Sequence, residues 1–258
     1  MRPIRSIRPI RSKPTPDAGL DGLGVVGALR GIAALAALGA LVTVLALASG
    51  SAATPDDGGP WRPLSDGRTT AGWRGYRRPD VPAGWQIVDG AFTRVAEAGD
   101  LITVEQFGDF ELELEWMIAP GGNSGIMFHV TEDHGAPWET GPEYQILDNS
   151  AHHDGLDPLT SAGSDYALYA PASDETRPPG EWNQTRILVR GPHVEHWLNG
   201  EKLLEYELRS DDWKARVAAS KFATMPDYGQ RPRGHIALQD HGDRVAYRNI
   251  RVRTPVLP

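Results

Sequence analysis

The sequence predicts an all-β protein, a two-sheet antiparallel jelly-roll sandwich preceded by an N-terminal apolar signal or membrane helix. Three observations predict it. Strand-length runs with period-2 alternation recur after residue 60, separated by Gly, Pro, Asn and Asp. Asp89-Gly90 and Asn199-Gly200 sit between such runs as hairpin turns, since a type I′ turn needs positive φ at both central residues. Only Ser210 to Ser220 reads as a helix, with Ser210 as cap and Asp211 and Asp212 in its first turn. Many short strands at this spacing form a sandwich or barrel, and about 200 residues favour two sheets.

The elements follow in chain order. Residues 1–53 are a leader. Arg2, Arg5, Arg8, Arg11, Lys13 and Arg30 precede an uncharged run from Gly31 to Ala48, and small residues close it in "ASGSAATP". A basic start, an apolar core and a small-residue exit make a secretory signal peptide, cleaved after Ala53 or Ala48. The run is also nearly as long as the roughly 20 residues that span a bilayer, so an uncleaved anchor is the alternative. Either way the C-terminal part is expected outside the cytoplasm, secreted or membrane-anchored. Residues 54–60, "TPDDGGP", are a linker by composition. Residues 61–255 form the jelly-roll domain.

Within it, "GWQIVDGAFTR" (84–94) holds two strand pieces around its turn. "DFELELEWMIA" (109–119) sends Phe110, Leu112, Leu114, Trp116 and Ile118 to one face and Glu111, Glu113, Glu115 and Met117 to the other. "SGIMFHV" (124–130), "EYQILD" (143–148), "QTRILVRG" (184–191), "HVEHWLNGEKLLEYEL" (193–208), "GHIALQDHG" (234–242) and "RVAYRNIRVR" (244–253) complete the set.

Composition narrows the function. The chain has no Cys, which excludes a disulfide framework and a lipid-bearing thiol, so an ordinary core must carry its stability. The net charge is −8, and the six basic and two acidic side chains before Ala53 leave the remainder at −12. Such a surface repels phosphate backbones and excludes nucleic acid as a partner.

Alternation then sorts faces. Ile126, Phe128 and Val130 are expected in the core, with Asn123, Gly125, Met127 and His129 opposite. Tyr144 and Ile146 point inward, leaving Glu143, Gln145 and Leu147; Ile236 and Leu238 point inward, leaving His235, Ala237 and Gln239. Val194 and Leu198 turn Glu195 and Trp197 away from the core and His196 into it. Four strands thus offer His, Gln, Glu, Trp, Met and Gly, with almost no Lys. That composition suits a concave ligand face with clearance, an aromatic platform and aimed polar groups.

At this point four ordered blocks, "NSGIMFHV", "GPEYQILDN", "PPGEWNQTRILVRGPHVEHWLNG" and "GHIALQDHGDRVAYRNIRVR", resemble the 3-keto-disaccharide hydrolase family, formerly domain of unknown function 1080. The opening "WRPLSDGRTTAGW" resembles its start, so the likeness spans roughly Trp61 to Arg253. One departure is Ala167 in "GSDYALYAP", where the family pattern leads us to expect an acid or Gly. The resemblance implies a concanavalin A-like jelly roll. It also implies a 3-keto-glucoside 1,2-lyase and 3-keto-2-hydroxyglucal hydratase chemistry, hydrolytic in net outcome. The substrate partner is then an oxidised 3-keto sugar, supplied by an upstream glycoside 3-oxidoreductase.

Such a substrate needs no pair of opposed carboxylates. The C3 ketone acidifies the hydrogen on C2, so a base removes it and the C1 substituent leaves; water then adds. The requirements are a base, a stabiliser for the enolate oxygen and an acid for the leaving group. The candidate catalytic residues are His129, Glu143, His152 and His153. Candidates for substrate binding are Asn123, Gln145, Asp148, Trp197, Gln239 and His241, with Trp197 stacking on a sugar ring. Each histidine can instead make a structural hydrogen bond, and Asp240-His241 can be a turn. No cofactor is assigned. A divalent transition metal on His152, His153, Asp154 and Asp148 is possible, although adjacent His on extended chain point apart. The alternative function is a carbohydrate-binding, lectin-like module of the same fold without turnover.

Overall fold

The computed structural model describes residues 58–255. The expected leader and its apolar helix lie outside the described residues. Gly58 and Gly59 already pair with Pro255 and Thr254.

Thirteen strands and one helix make up the domain: β1 Arg62–Pro63, β2 Trp73–Gly75, β3 Trp85–Val88, β4 Ala91–Arg94, β5 Leu101–Thr103, β6 Phe110–Ile118, β7 Asn123–Val130, β8 Glu143–Leu147, β9 Asn183–Arg190, β10 His193–Leu198, β11 Glu201–Glu207, α1 Asp211–Ala218, β12 His235–Leu238 and β13 Val245–Arg253. They form two antiparallel sheets. The larger has eight strands, ordered β11-β10-β9-β6-β13-β4-β3 with β1 also on β13; the smaller has five, ordered β2-β5-β12-β7-β8. This is an all-β sandwich consistent with a jelly roll. Among the described residues no helix is long and apolar enough to cross a membrane.

Both hairpin turns form as expected, because each pair adopts positive φ: Asp89 50° and Gly90 80°, Asn199 51° and Gly200 96°. Helix α1 starts where Ser210 accepts a hydrogen bond from the Trp213 N–H at 3.1 Å. Strand β6 buries its alternate set, Phe110, Leu112, Leu114, Trp116 and Ile118, against the small sheet. Its glutamates lie on the far side in cross-strand ion pairs: Glu111 with Arg186 and Arg253, Glu113 with Arg251, Glu115 with Arg248. Three acidic residues in a row would repel one another there, and the arginines of β9 and β13 relieve this.

Strict alternation fails in β7. Ala237 pairs with Met127, but His235 pairs with Val130, so β7 carries one extra residue. His129 absorbs it at φ 53°, a β-bulge. The bulge reverses the two residues after Phe128. Val130 joins Ile102, Met127 and Ala237 on the outer face, while His129 turns inward beside Phe110 and Phe128. Gly234 is required opposite, because a Cβ there would overlap the His129 backbone.

Ala167 is another non-glycine residue with positive φ, at 63°. The left-handed region is costly for L-residues and open to glycine, which is the physical reason Gly is expected at this position. Ala167→Gly is expected to stabilise the fold by about 0.5–1 kcal/mol, after the glycine's extra unfolded-state entropy is counted. A thermal melt checks it; an unchanged or lower Tm would count against the strain.

Candidate functional site

The outer face of the small sheet is where aimed polar groups meet. Pairing of β7 with β8 sets Asn123 beside Leu147, Gly125 beside Gln145 and Met127 beside Glu143. The Gln239 N–H donates to the Gly125 carbonyl at 3.0 Å, adding the end of β12 to the same patch. Asn123, Glu143, Gln145 and Gln239 are thus gathered as their alternation predicts, all within 9 % exposure.

Glu143 dominates the patch. Its side chain lies across Gly125, where a Cβ would overlap Oε1. Burial pushes its carboxyl up to about 8, and no hydrogen bond from a described residue offsets that; Asp100 and Asp154 add repulsion, while Lys221 opposes it. Beside it, Asn123 Oδ1 and Gln239 Oε1 are buried without a hydrogen-bond partner among the described residues. Two unpaired amide acceptors on one face are costly unless a ligand hydroxyl fills them. Gln145 is less available: its amide donates to the Thr160 carbonyl at 3.3 Å, and its Oε1 accepts from the Ile146 N–H at 3.1 Å.

Loops close over the sheet from three directions. The Tyr166 N–H donates to the Glu143 carbonyl at 3.0 Å, fixing Tyr166 beside β8. The Tyr166 hydroxyl donates to Asp154 Oδ2 at 3.4 Å, and burial pushes it up to about 12. The Lys221 ammonium sits 4.0 Å from the Tyr166 ring, 5.1 Å from Phe222 and 5.9 Å from Trp138. Sequence reading missed Lys221, Tyr166 and Trp138, which no alternation marks because each lies outside the strands.

His152 and His153 do not diverge as adjacent residues on extended chain would. A 3₁₀ turn begins at His153 with His152 as its cap, Nδ1 accepting from the Asp154 N–H at 3.1 Å. The turn brings the two rings to 4.3 Å, with His241 6.5 Å from His152. His152, His153 and Asp154 can offer ligand atoms within 4.8 Å of one another. The residue types are those that bind a divalent transition metal, but His152 does not fit as it stands: Nδ1 accepts the Asp154 N–H, which leaves the ring proton on Nε2 and no lone pair there for a metal. A second group, His193, Glu195 and Glu205, fits poorly: the Lys202 ammonium already stands 2.6 Å from Glu205 and 3.6 Å from Glu195.

Three expected site residues lie elsewhere. His129 faces the core, its Nε2 donating to the Gly108 carbonyl at 2.9 Å, and burial holds it below the usual histidine range. The bulge is the reason. Trp197 belongs to β10 of the large sheet, where Arg186 stacks on it at 4.8 Å and its Nε1 donates to Glu195 at 2.8 Å. Strand order, which alternation does not reveal, is the reason. Asp148 is engaged as a loop clamp, accepting from the Gly121 and Ser150 N–H groups and the Ser150 hydroxyl at 2.7, 3.0 and 2.6 Å. It lines a cleft of about 550 Å³ between residues 148–161 and 171–179.

The arrangement combines a proton acceptor raised toward neutrality, a cation near enough to act on it and unpaired amides. That set suits proton abstraction next to a carbonyl.

Comparison with known proteins bears on the chemistry. Residues 60–253 match the family described as a 3-keto-alpha-glucoside-1,2-lyase-like domain. A 3-keto-disaccharide hydrolase of Bacteroides thetaiotaomicron is 36% identical over 235 residues, covering 79% of this chain and 81% of that protein. A crystal structure of a putative glycosyl hydrolase from Parabacteroides distasonis is 36% identical, with a TM-score of 0.71 over 76% of this chain and 94% of the other. A second from that organism is 27% identical, with a TM-score of 0.61 over 76% and 100%.

Proposed function

The chain belongs to the 3-keto-alpha-glucoside-1,2-lyase-like family, and from that premise we propose that it is an exported enzyme cleaving 3-keto-glycosides by elimination and hydration. Glu143 carries the reading. It is a carboxyl raised to about 8 on a face with unpaired acceptors, poised to take a proton near working pH.

In the ionised form Glu143 removes the proton from C2, and the electron pair moves onto the C3 oxygen as an enolate. The pair then returns, a double bond forms between C1 and C2, and the C1–O bond breaks toward the leaving group. That oxygen takes a proton from the His152–His153 loop at the end of β8. Water then adds at C1, giving its proton back to the His152–His153 loop, and Glu143 returns its proton to C2. Net hydrolysis leaves a 3-keto sugar and the free aglycone. Asn123 and Gln239 accept hydrogen bonds from ring hydroxyls, and His241 stands at the rim by the same loop. The substrate is an oxidised glycoside, so a glycoside 3-oxidoreductase must supply it.

The expected result is release of aglycone from several 3-keto-glucosides at micromolar protein, and none from the parent glucosides, measured with and without a chelator. Binding of the sugars without release would make the protein a lectin-like module and sink the enzymatic reading. A finer test is Gly125→Ala. The added methyl displaces the Glu143 carboxyl, and kcat is expected to fall by about 10- to 100-fold while the melt stays within a few degrees. An unchanged kcat would show that Glu143 need not lie across Gly125.

A further inference from the structure

We propose that Lys221 is a catalytic residue of this face, its ammonium group binding the C3 oxygen of the 3-keto sugar and holding the enolate that forms there. The inference rests on the elimination reading above.

Three lysines lie among the described residues. Lys202 and Lys214 each pair with a carboxylate on their own element, at 2.6 and 3.5 Å. No carboxylate of a described residue lies within 4.0 Å of the Lys221 ammonium. It is turned instead toward the outer face of the small sheet, among the Tyr166, Phe222 and Trp138 rings. Aromatic faces hold a cation without neutralising it.

The turn that presents it is rigid. Residues Lys221–Thr224 form a 3₁₀ turn capped by Ser220, whose Oγ accepts from the Phe222 N–H at 3.1 Å. Phe222 beneath is 1 % exposed and stacked on Tyr228 at 3.9 Å. Fixing a long side chain this way costs rotamer entropy, and no protein anion in the described structure repays it by direct contact. Glu143 and Asp154 are near enough to act on the ammonium, while partial burial holds Lys221 below the usual lysine range.

In this reading the reacting atoms lie between the Glu143 carboxyl and the Lys221 ammonium, which are near enough to act on each other. When the C2–H bond breaks, its proton goes to Glu143 and its electron pair to the C3 oxygen, against Lys221. A preorganised cation at that oxygen is worth more in a water-poor site than in water. When the C1–O bond breaks, the pair leaves the C3 oxygen and the contact relaxes.

The test compares Lys221→Met, Lys221→Gln and Lys221→Arg in the full chain, with a 3-keto-glucoside bearing a chromogenic aglycone. Met and Gln are expected to lower kcat by about 10²- to 10³-fold, with KM changed far less, and Arg to keep part of the rate. Exchange of the C2 hydrogen into deuterated water should slow in proportion. A purely structural lysine would shift the melt and leave the exchange-to-release ratio and the Arg rescue unexplained. Wild-type kcat in folded Met or Gln variants overturns the proposal. So does a borohydride-stable adduct on Lys221, which would replace the point charge by a Schiff base. No release by the wild-type protein overturns the elimination reading, and this assignment with it.

Discussion

Glu143→Gln is expected to fold and to lose aglycone release by about three orders of magnitude, with KM little changed. Glutamine has the same shape and no negative charge, and Glu143 is already held largely uncharged near neutrality by its burial. The fold therefore loses little, while the reaction loses its proton acceptor. A positioned base contributes about 10²- to 10⁴-fold, and elimination has no slower route that avoids taking the C2 proton. The pH profile sharpens the test. The active form is the carboxylate, so kcat/KM of the wild type should rise through about pH 8, following the ionisation of Glu143. The residual activity of the Gln protein should lack that limb. Activity within tenfold of wild type would remove Glu143 as the base and shift the role to His152 or His153.

Much of this site was legible because β8 and β12 keep strict alternation. Glu143, Gln145 and Gln239 fall on the outer face where the period-2 pattern puts them. The hairpins at Asp89-Gly90 and Asn199-Gly200 were legible for a local reason, the positive φ of both turn residues. His129 was not, because one inserted residue reverses every side chain that follows, and nothing in "SGIMFHV" announces an insertion. Trp197 was misplaced for a different reason. Its face is as predicted, but its strand lies in the other sheet, and pairing order is a property of the whole chain. Lys221 and Tyr166 are the hardest case. They reach the face from a 3₁₀ turn and a loop, where neither spacing nor composition specifies direction.

The chemistry of this face should be visible in stability as well as in rate. Three carboxyls, Glu143, Asp100 and Asp165, are raised mainly by burial, Glu143 to about 8, Asp100 to about 6 and Asp165 well above its ordinary value. Asp165 lies under the sheet, pairing with Tyr144 in backbone contact, and neither carboxyl oxygen has a well-formed hydrogen bond among the described residues, although the Tyr206 hydroxyl eases its burial. A raised carboxyl binds its proton in the folded state after the unfolded chain has released it. Stability from these groups is therefore full below about pH 4, where both states are protonated, and declines as pH rises through the folded values.

Carboxyls of the opposite kind, Asp148 and Asp240, are held low by hydrogen bonds and protect the fold only above about pH 4. The two sets together place maximal stability near pH 5, with a fall toward pH 9. For Glu143 alone the loss is roughly 5 kcal/mol once it is fully ionised. Glu143→Gln should accordingly raise the Tm at pH 9 and leave it nearly unchanged at pH 5, and Asp165→Asn should do the same. The double variant should gain less than the sum, because part of the Asp165 shift is repulsion from the Glu143 carboxylate. Calorimetric scans at the two pH values decide it, and a wild-type Tm that does not fall between them would show that these groups ionise freely in the fold. The same loss of solvation that makes Glu143 a base near neutrality makes the folded chain resist its ionisation, so the variant that gains most stability in alkali should be the one that loses catalysis.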